Sequence, residues 1–182
     1  MHHFFRTMGF MNQYDLVFEG LKEGFHEFEY NIEDKFFDHF EQDMVSVGRL
    51  KVKVLLEKRS TFLKLSFTIK GWVELTCDWC LEIYRQPVVH KDEILVKFGE
   101  TEINDDDEVL WVLPGDYKLN LAQLLFEFII VSIPLKHIHP VGKNGKSGCN
   151  NDMIEKLKQY STDGRTNTET DPRWEALKKI KN

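Results

Sequence analysis

Leu63-Lys64-Leu65-Ser66-Phe67-Thr68-Ile69-Lys70 places an apolar side chain at every second position, the period of a strand with one buried and one solvated face. Upstream, Leu50, Val52, Val54 and Leu56 alternate with Lys51, Lys53 and Leu55, and the intervening Glu57 to Thr61 is short enough for a hairpin. The two segments are therefore expected to pair antiparallel with their lysines on the outer face. Downstream, the same parity runs through Gly71, Val73 and Leu75 to Cys77, which is expected to project from the apolar side. The alternation stops at Cys77-Asp78-Trp79-Cys80.

Working outward, Tyr14, Leu16 and Phe18, and then Phe28 and Tyr30, read as two short strands. Asn31 is placed to cap a helix with Glu33 and Asp34 in its first turn and Phe36, Phe37 and Phe40 on one face. Ile94, Val96 and Phe98 give a further strand, and Val109 to Leu113 another ahead of the Pro114-Gly115 turn. Between them Glu102 and Asp105 to Glu108 form an acidic loop without the glycine-punctuated spacing of a calcium site.

At Asn120 the period changes. Leu121, Leu124, Leu125 and Phe128 share a helical face that Pro134 terminates, which predicts an amphipathic helix over Leu121 to Val131 laid on the sheet. Asn150 caps a short helix through Met153, Ile154 and Leu157. Residues 161–170 are polar and read as a mobile linker, and Asp171-Pro172 opens a last short helix over 171–182. Sequential strands broken by one long helix give an α+β fold: a mainly antiparallel sheet, open or closed like a barrel, in a single domain over residues 1–160. Phe67, Ile69, Leu125 and Phe128 are its expected core.

Two thiolates three positions apart can grip one soft cation from a tight turn. A tetrahedral structural site needs two more ligands, and the segment Lys136 to Cys149 offers Cys149 with His137 and His139. Trp79 is placed to shield the sulfurs. The competing readings are inert reduced cysteines at a strand end, and a dithiol switch; the switch normally sits at a helix N-terminus, whereas Leu81 to Pro87 lacks a helical pattern.

The charge pattern is segmented. Residues 1–48 carry 3 basic and 10 acidic side chains, 49–70 carry 7 and 1, 71–133 carry 4 and 13, and 134–182 carry 10 and 6, so the net −6 runs as −7, +6, −9 and +4. The mean field opposes non-specific nucleic-acid binding, yet the basic tracts can form a local footprint, the acidic ones can receive a basic protein, or all can be solvated faces. Leu119 to Ile133 is interrupted by Asn120, Gln123, Glu127 and Ser132, too polar for a membrane span. The first residues lack a signal-peptide pattern, and three cysteines, an odd number, fit a reducing compartment, so a cytoplasmic location is expected. No phosphate loop, nucleophile elbow or His-Glu-x-x-His helix occurs, and no small-molecule substrate is expected.

Several features fall in a telling order: Val73-Glu74-Leu75-Thr76-Cys77-Asp78-Trp79-Cys80-Leu81, the helix ending Glu127 to Pro134, the segment His139 to Cys149, and Asp171-Pro172-Arg173-Trp174. Together they resemble the YceD/DUF177 family, linked to accumulation of large-subunit ribosomal RNA. Gly20-Leu21-Lys22-Glu23-Gly24 with Phe36-Phe37 looks like the variant found in Bacteroidetes. The resemblance implies a non-enzymatic role in large ribosomal subunit assembly, with ribosomal RNA or a basic ribosomal protein as partner. Many relatives carry a second Cys-x-x-Cys pair where this chain has His137, His139 and Cys149. A zinc set of Cys77, Cys80, His139 and Cys149 is preferred, because His139 stands beside Pro140. Lys51, Lys53, Lys64 and Lys70 are the expected RNA or partner contacts. An enzyme acting through Cys80 or a metal-bound water is the alternative, and it would require an open coordination position.

Overall fold

The computed structural model describes residues 11–99, 109–113, 115–141 and 148–161. The linker after Ser161, the helix expected over 171–182, the acidic loop and Pro114 lie outside the described residues.

After a 3₁₀ turn at Asn12–Tyr14 come β1 (Asp15–Val17), β2 (Gly24–Ile32), α1 (Asp34–Phe37), β3 (Gly48–Lys58), β4 (Phe62–Thr76), β5 (Ile83–Phe98), β6 (Val109–Val112), β7 (Lys118–Asn120), α2 (Ala122–Val131) and α3 (Asn151–Tyr160). The main sheet has the order β2-β3-β4-β5-β6. Its first four strands are antiparallel neighbours in sequence order, and β6 joins β5 in parallel. Barrel-like closure is not realised: β2 and β6 are opposite edges of an open sheet.

The β3–β4 hairpin follows from the alternation that predicts it. Leu50, Val52, Val54 and Leu56 are buried opposite Gly71, Ile69, Phe67 and Leu65, so one face is apolar throughout. The β4–β5 hairpin is longer than the sequence pattern suggests. β5 begins at Ile83, well before the Ile94–Phe98 alternation, and pairs with β4 from Thr76↔Ile83 to Phe62↔Lys97. Pro87 lies within it, opposite Trp72. Because β6 pairs only with Leu95 to Phe98, β5 is an edge at Pro87, where a missing N–H breaks no ladder bond.

β1 does not pair with β2. It forms a separate antiparallel ribbon with β7, fastened by Asp15, whose carboxylate accepts from Lys118 Nζ and Asn120 Nδ2, both at 2.7 Å. Asn31 is not a helix cap either. It ends in β2 opposite Lys51, and Glu33 precedes the four-residue α1 without a side-chain capping bond.

α2 lies over the apolar face of the sheet. Leu125 and Ile129 are fully buried, Phe128 meets Phe67 edge-on at 5.2 Å, and Phe126 stacks on Phe40 at 3.9 Å. Phe67, Ile69 and Leu125 are core residues, with Phe128 packed against them. Both α2 and α3 have ten residues, so length does not set α2 apart.

Candidate metal centre

The β4–β5 hairpin turns through Cys77 to Glu82, so the Cys-x-x-Cys pair is the turn of the longest hairpin. The parity expectation holds, with Cys77 fully buried on the apolar side. The turn is tight: Leu81 N–H donates to Cys77 O and Cys77 N–H to Glu82 O, both at 2.9 Å. Closing it puts Leu81 in the left-handed region at φ 61, a conformation uncommon for a side chain of this size.

After α2, Ile133 is buried and the chain runs back past the turn. Asp78 N–H donates to His137 O, and Asp78 Oδ2 accepts from His137 N–H, both at 2.7 Å. This two-way bond fixes the returning segment by its backbone and brings His137 Nδ1 to 4.0 Å from Asp78 Oδ1. His139, two residues on, faces the sulfurs instead. Its ring lies 4.9 Å from that of Tyr84, and a Cβ on Gly148 would stand 3.3 Å from its Cβ and Cδ2. Gly148 thus leaves room for the imidazole. Cys149 follows, and Asn150 both caps α3 through Asp152 N–H and donates to Glu82 Oε1 at 2.9 Å.

The ligand atoms of Cys77, Cys80, His139 and Cys149 all lie within 4.8 Å of one another, with the three cysteines buried. Cys77 Sγ is 3.7 Å from Cys149 Sγ, and His139 Nδ1 is 3.5 Å from Cys80 Sγ and 3.6 Å from Cys149 Sγ. Zinc bound tetrahedrally, at about 2.3 Å from sulfur and about 2.05 Å from nitrogen, separates two sulfurs by about 3.8 Å and a sulfur from a nitrogen by about 3.6 Å. Three of the six edges of the donor set thus match those of a zinc tetrahedron, and all six lie within 4.8 Å. Burial pushes the Cys77 thiol up, but backbone N–H groups of Cys80, Trp79 and His139, together with the His139 side chain, outweigh it and bring the pKa from 9.0 down to about 6. A thiolate is the form that ligates. Trp79 is 49% exposed at the tip of the turn, while the three cysteines are buried.

The sequence pattern singled out all four donors but not the hydrogen bonds that assemble them. Asp78, Gly148 and the Glu82–Asn150 bond act across long sequence separations. An aspartate between the two cysteines was the only local hint.

Lys51, Lys53, Lys64 and Lys70 lie together on the outer face of β3 and β4, away from this centre. Their charges are not equivalent. Lys53 Nζ pairs with Glu29 at 2.7 Å and Lys64 Nζ with Glu93 at 2.8 Å. Each pair raises its lysine pKa and lowers that of its carboxylate through the shared hydrogen bond, then through direct attraction. Glu93 also accepts from Ser66. Among the described residues no carboxylate pairs with Lys51 or Lys70, although Lys51 exerts a weaker pull on Glu29.

The molecule is thus an α+β protein that carries a Cys3His cluster at the tip of its longest hairpin. Comparison of its sequence with family models makes the assignment specific: residues 65–181 match the one described as large ribosomal RNA subunit accumulation protein YceD, and the chain belongs to the YceD family. Neither a curated protein nor a solved structure matches it. Among the described residues no helix is long and apolar enough to cross a membrane.

Proposed function

We propose that this chain is a non-enzymatic, cytoplasmic factor in assembly of the large ribosomal subunit, clipped by one structural zinc and contacting ribosomal RNA through the outer face of its sheet. Membership of a family named for large-subunit RNA accumulation supports the role. The observation that carries the zinc reading is the set of three S···S and S···N edges at tetrahedral spacing, made by the four residues Cys77, Cys80, His139 and Cys149. Four protein donors fill a tetrahedral ion completely, which suits a structural site and leaves no position for a reactive water. This favours the assembly factor over a metal-dependent enzyme. Of the four lysines on the outer face, Lys51 and Lys70 supply positive charge for RNA, whereas Lys53 and Lys64 are held by Glu29 and Glu93.

Two measurements test the two halves. Elemental analysis of protein purified without chelator should find one zinc per chain, lost in Cys149→Ser; substoichiometric zinc that is unchanged by the substitution removes the site. Sedimentation of cell lysate should place the protein with large-subunit precursor particles in low salt and release it in high salt. Absence from those particles in both conditions removes the assembly role.

A further inference from the structure

The outer face of the sheet is ordered in charge across its width. Reading the register from β2 to β5, one row is Glu27, Leu55, Ser66 and Glu93, and it is acidic. The next, Glu29, Lys53, Thr68 and Lys91, mixes signs. Then comes Asn31, Lys51, Lys70 and Val89, with two lysines and no carboxylate. Lys51 and Lys70 are direct partners across β3 and β4, and like charges in that relation repel and destabilise the sheet. In the row beside it Lys53 has Glu29 as its partner, whereas the row of Lys51 and Lys70 supplies no carboxylate.

Beside these lysines the surface is hollowed. Asn31, Glu33, Arg49, Lys51, Lys70 and Gly71 line a concavity of about 360 Å³. Glu33 contributes its single carboxylate. Gly71 keeps the strands close here, since a Cβ at this position would stand 2.1 Å from Arg49 O. Trp72, two residues past Lys70 on the same face, carries the Arg85 guanidinium over its ring at 4.0 Å. Glu74 accepts from Arg85 Nε at 3.3 Å and steadies it, while the Arg85 side chain stays 65% exposed. A planar cation already stacked on an indole offers its other face to a base, and two ammonium groups next to it, without a carboxylate partner among the described residues, fit the backbone of the same strand.

We infer that Lys51 and Lys70, with the Arg85–Trp72 stack, form a site for single-stranded RNA, the lysines taking phosphates and Arg85 taking a base. This rests on the RNA-contact reading above and narrows it. Lys53 and Lys64, engaged by Glu29 and Glu93, contribute little. The acidic row at Glu27 and Glu93 bounds the site on one side and turns the strand toward the β4–β5 turn.

The test is fluorescence anisotropy of a labelled oligouridylate with the zinc-loaded full chain across a salt series. Lys51→Gln/Lys70→Gln should weaken binding about ten-fold at about 0.15 M salt and reduce the slope of log K against log salt by about 1.4, the value for two single-strand phosphates. Lys53→Gln/Lys64→Gln should change affinity less than two-fold, roughly within the scatter expected of uninvolved sites. Arg85→Lys should lower affinity with the slope unchanged, since charge is kept and only the stacking plane is lost. Thermal unfolding should show Lys51→Gln/Lys70→Gln no less stable than the parent, because a like-charge pair has been removed. Equal losses from the two lysine pairs, or full affinity after Lys51→Gln/Lys70→Gln, overturn the site while leaving RNA contact elsewhere intact. A parent chain that binds duplex RNA as well as the single strand overturns the stacking role. A parent chain that binds no RNA overturns both this site and the RNA-contact reading.

Discussion

Gly71 is the position where one side-chain atom matters most. Its backbone lies against Arg49 and Leu50, and a Cβ would meet Arg49 O at 2.1 Å and Leu50 Cα at 2.6 Å. Backbone of a central hairpin cannot yield as a flexible side chain can, so the strands must separate or shear. Gly71→Ala is expected to cost about 1–3 kcal/mol, the range of overpacked sites, measured as a lower urea midpoint. An unchanged midpoint would show that β3 and β4 part more easily than this contact allows. The same glycine keeps the alternation legible from Leu63 to Cys77 while contributing no side chain of its own.

At the scale of elements, the β4–β5 turn and the segment after α2 hold each other. The turn supplies Cys77 and Cys80 from a well-paired hairpin, whereas residues 133–141 pack chiefly through Ile133 and Ile138 and are tied by the Asp78–His137 bonds. Apolar burial there is small, so under the zinc reading proposed above a metal crosslink would supply much of the order. Chelation, or acidification that protonates the ligands, is expected to speed amide exchange at Asp78 and His137 while Val52, Val54 and Phe67 stay protected. Hydrogen exchange with and without chelator distinguishes this from the inert-thiol reading, under which neither region responds.

At the scale of the molecule, the β1–β7 ribbon, β2 and α1 meet around two buried tyrosines. Tyr14 and Tyr30 have ring centroids 6.2 Å apart, and Tyr14 also meets Phe36 at 5.0 Å. Burial pushes both phenols up from 10.0 to about 12. The folded chain therefore keeps protons that the unfolded chain releases, so stability is intact below about pH 10 and falls as pH rises from 10 toward 12. Tyr30 hydroxyl is buried and has no hydrogen-bond partner among the described residues. Tyr30→Phe removes an unsatisfied group and is expected to be neutral or stabilising by up to about 1 kcal/mol at neutral pH. It should also flatten the alkaline loss by about one proton's worth of slope. Urea titrations at stepped pH check both, and a variant with the parent's alkaline slope would place the titration elsewhere.

The sequence by itself determined what depends on local period and residue chemistry. The alternation from Leu50 to Cys77 sufficed for the central hairpin, its buried face and the side on which Cys77 projects, because strand geometry converts parity directly into facing. The scarcity of cysteine and the Cys-x-x-Cys spacing sufficed to nominate the three cysteines, with His137 or His139 as the fourth donor and His139 preferred beside Pro140. Only the tertiary structure decided the pairing of β1 with β7, the length of β5 through Pro87, the open sheet, and the Asp78–His137 bonds that hold the segment bringing His139 to the sulfurs. It also separated Lys51 and Lys70 from Lys53 and Lys64, which the sequence presents as one basic tract. Each of these depends on which carboxylate, carbonyl or strand edge arrives from a distant part of the chain, and local periodicity carries no record of that.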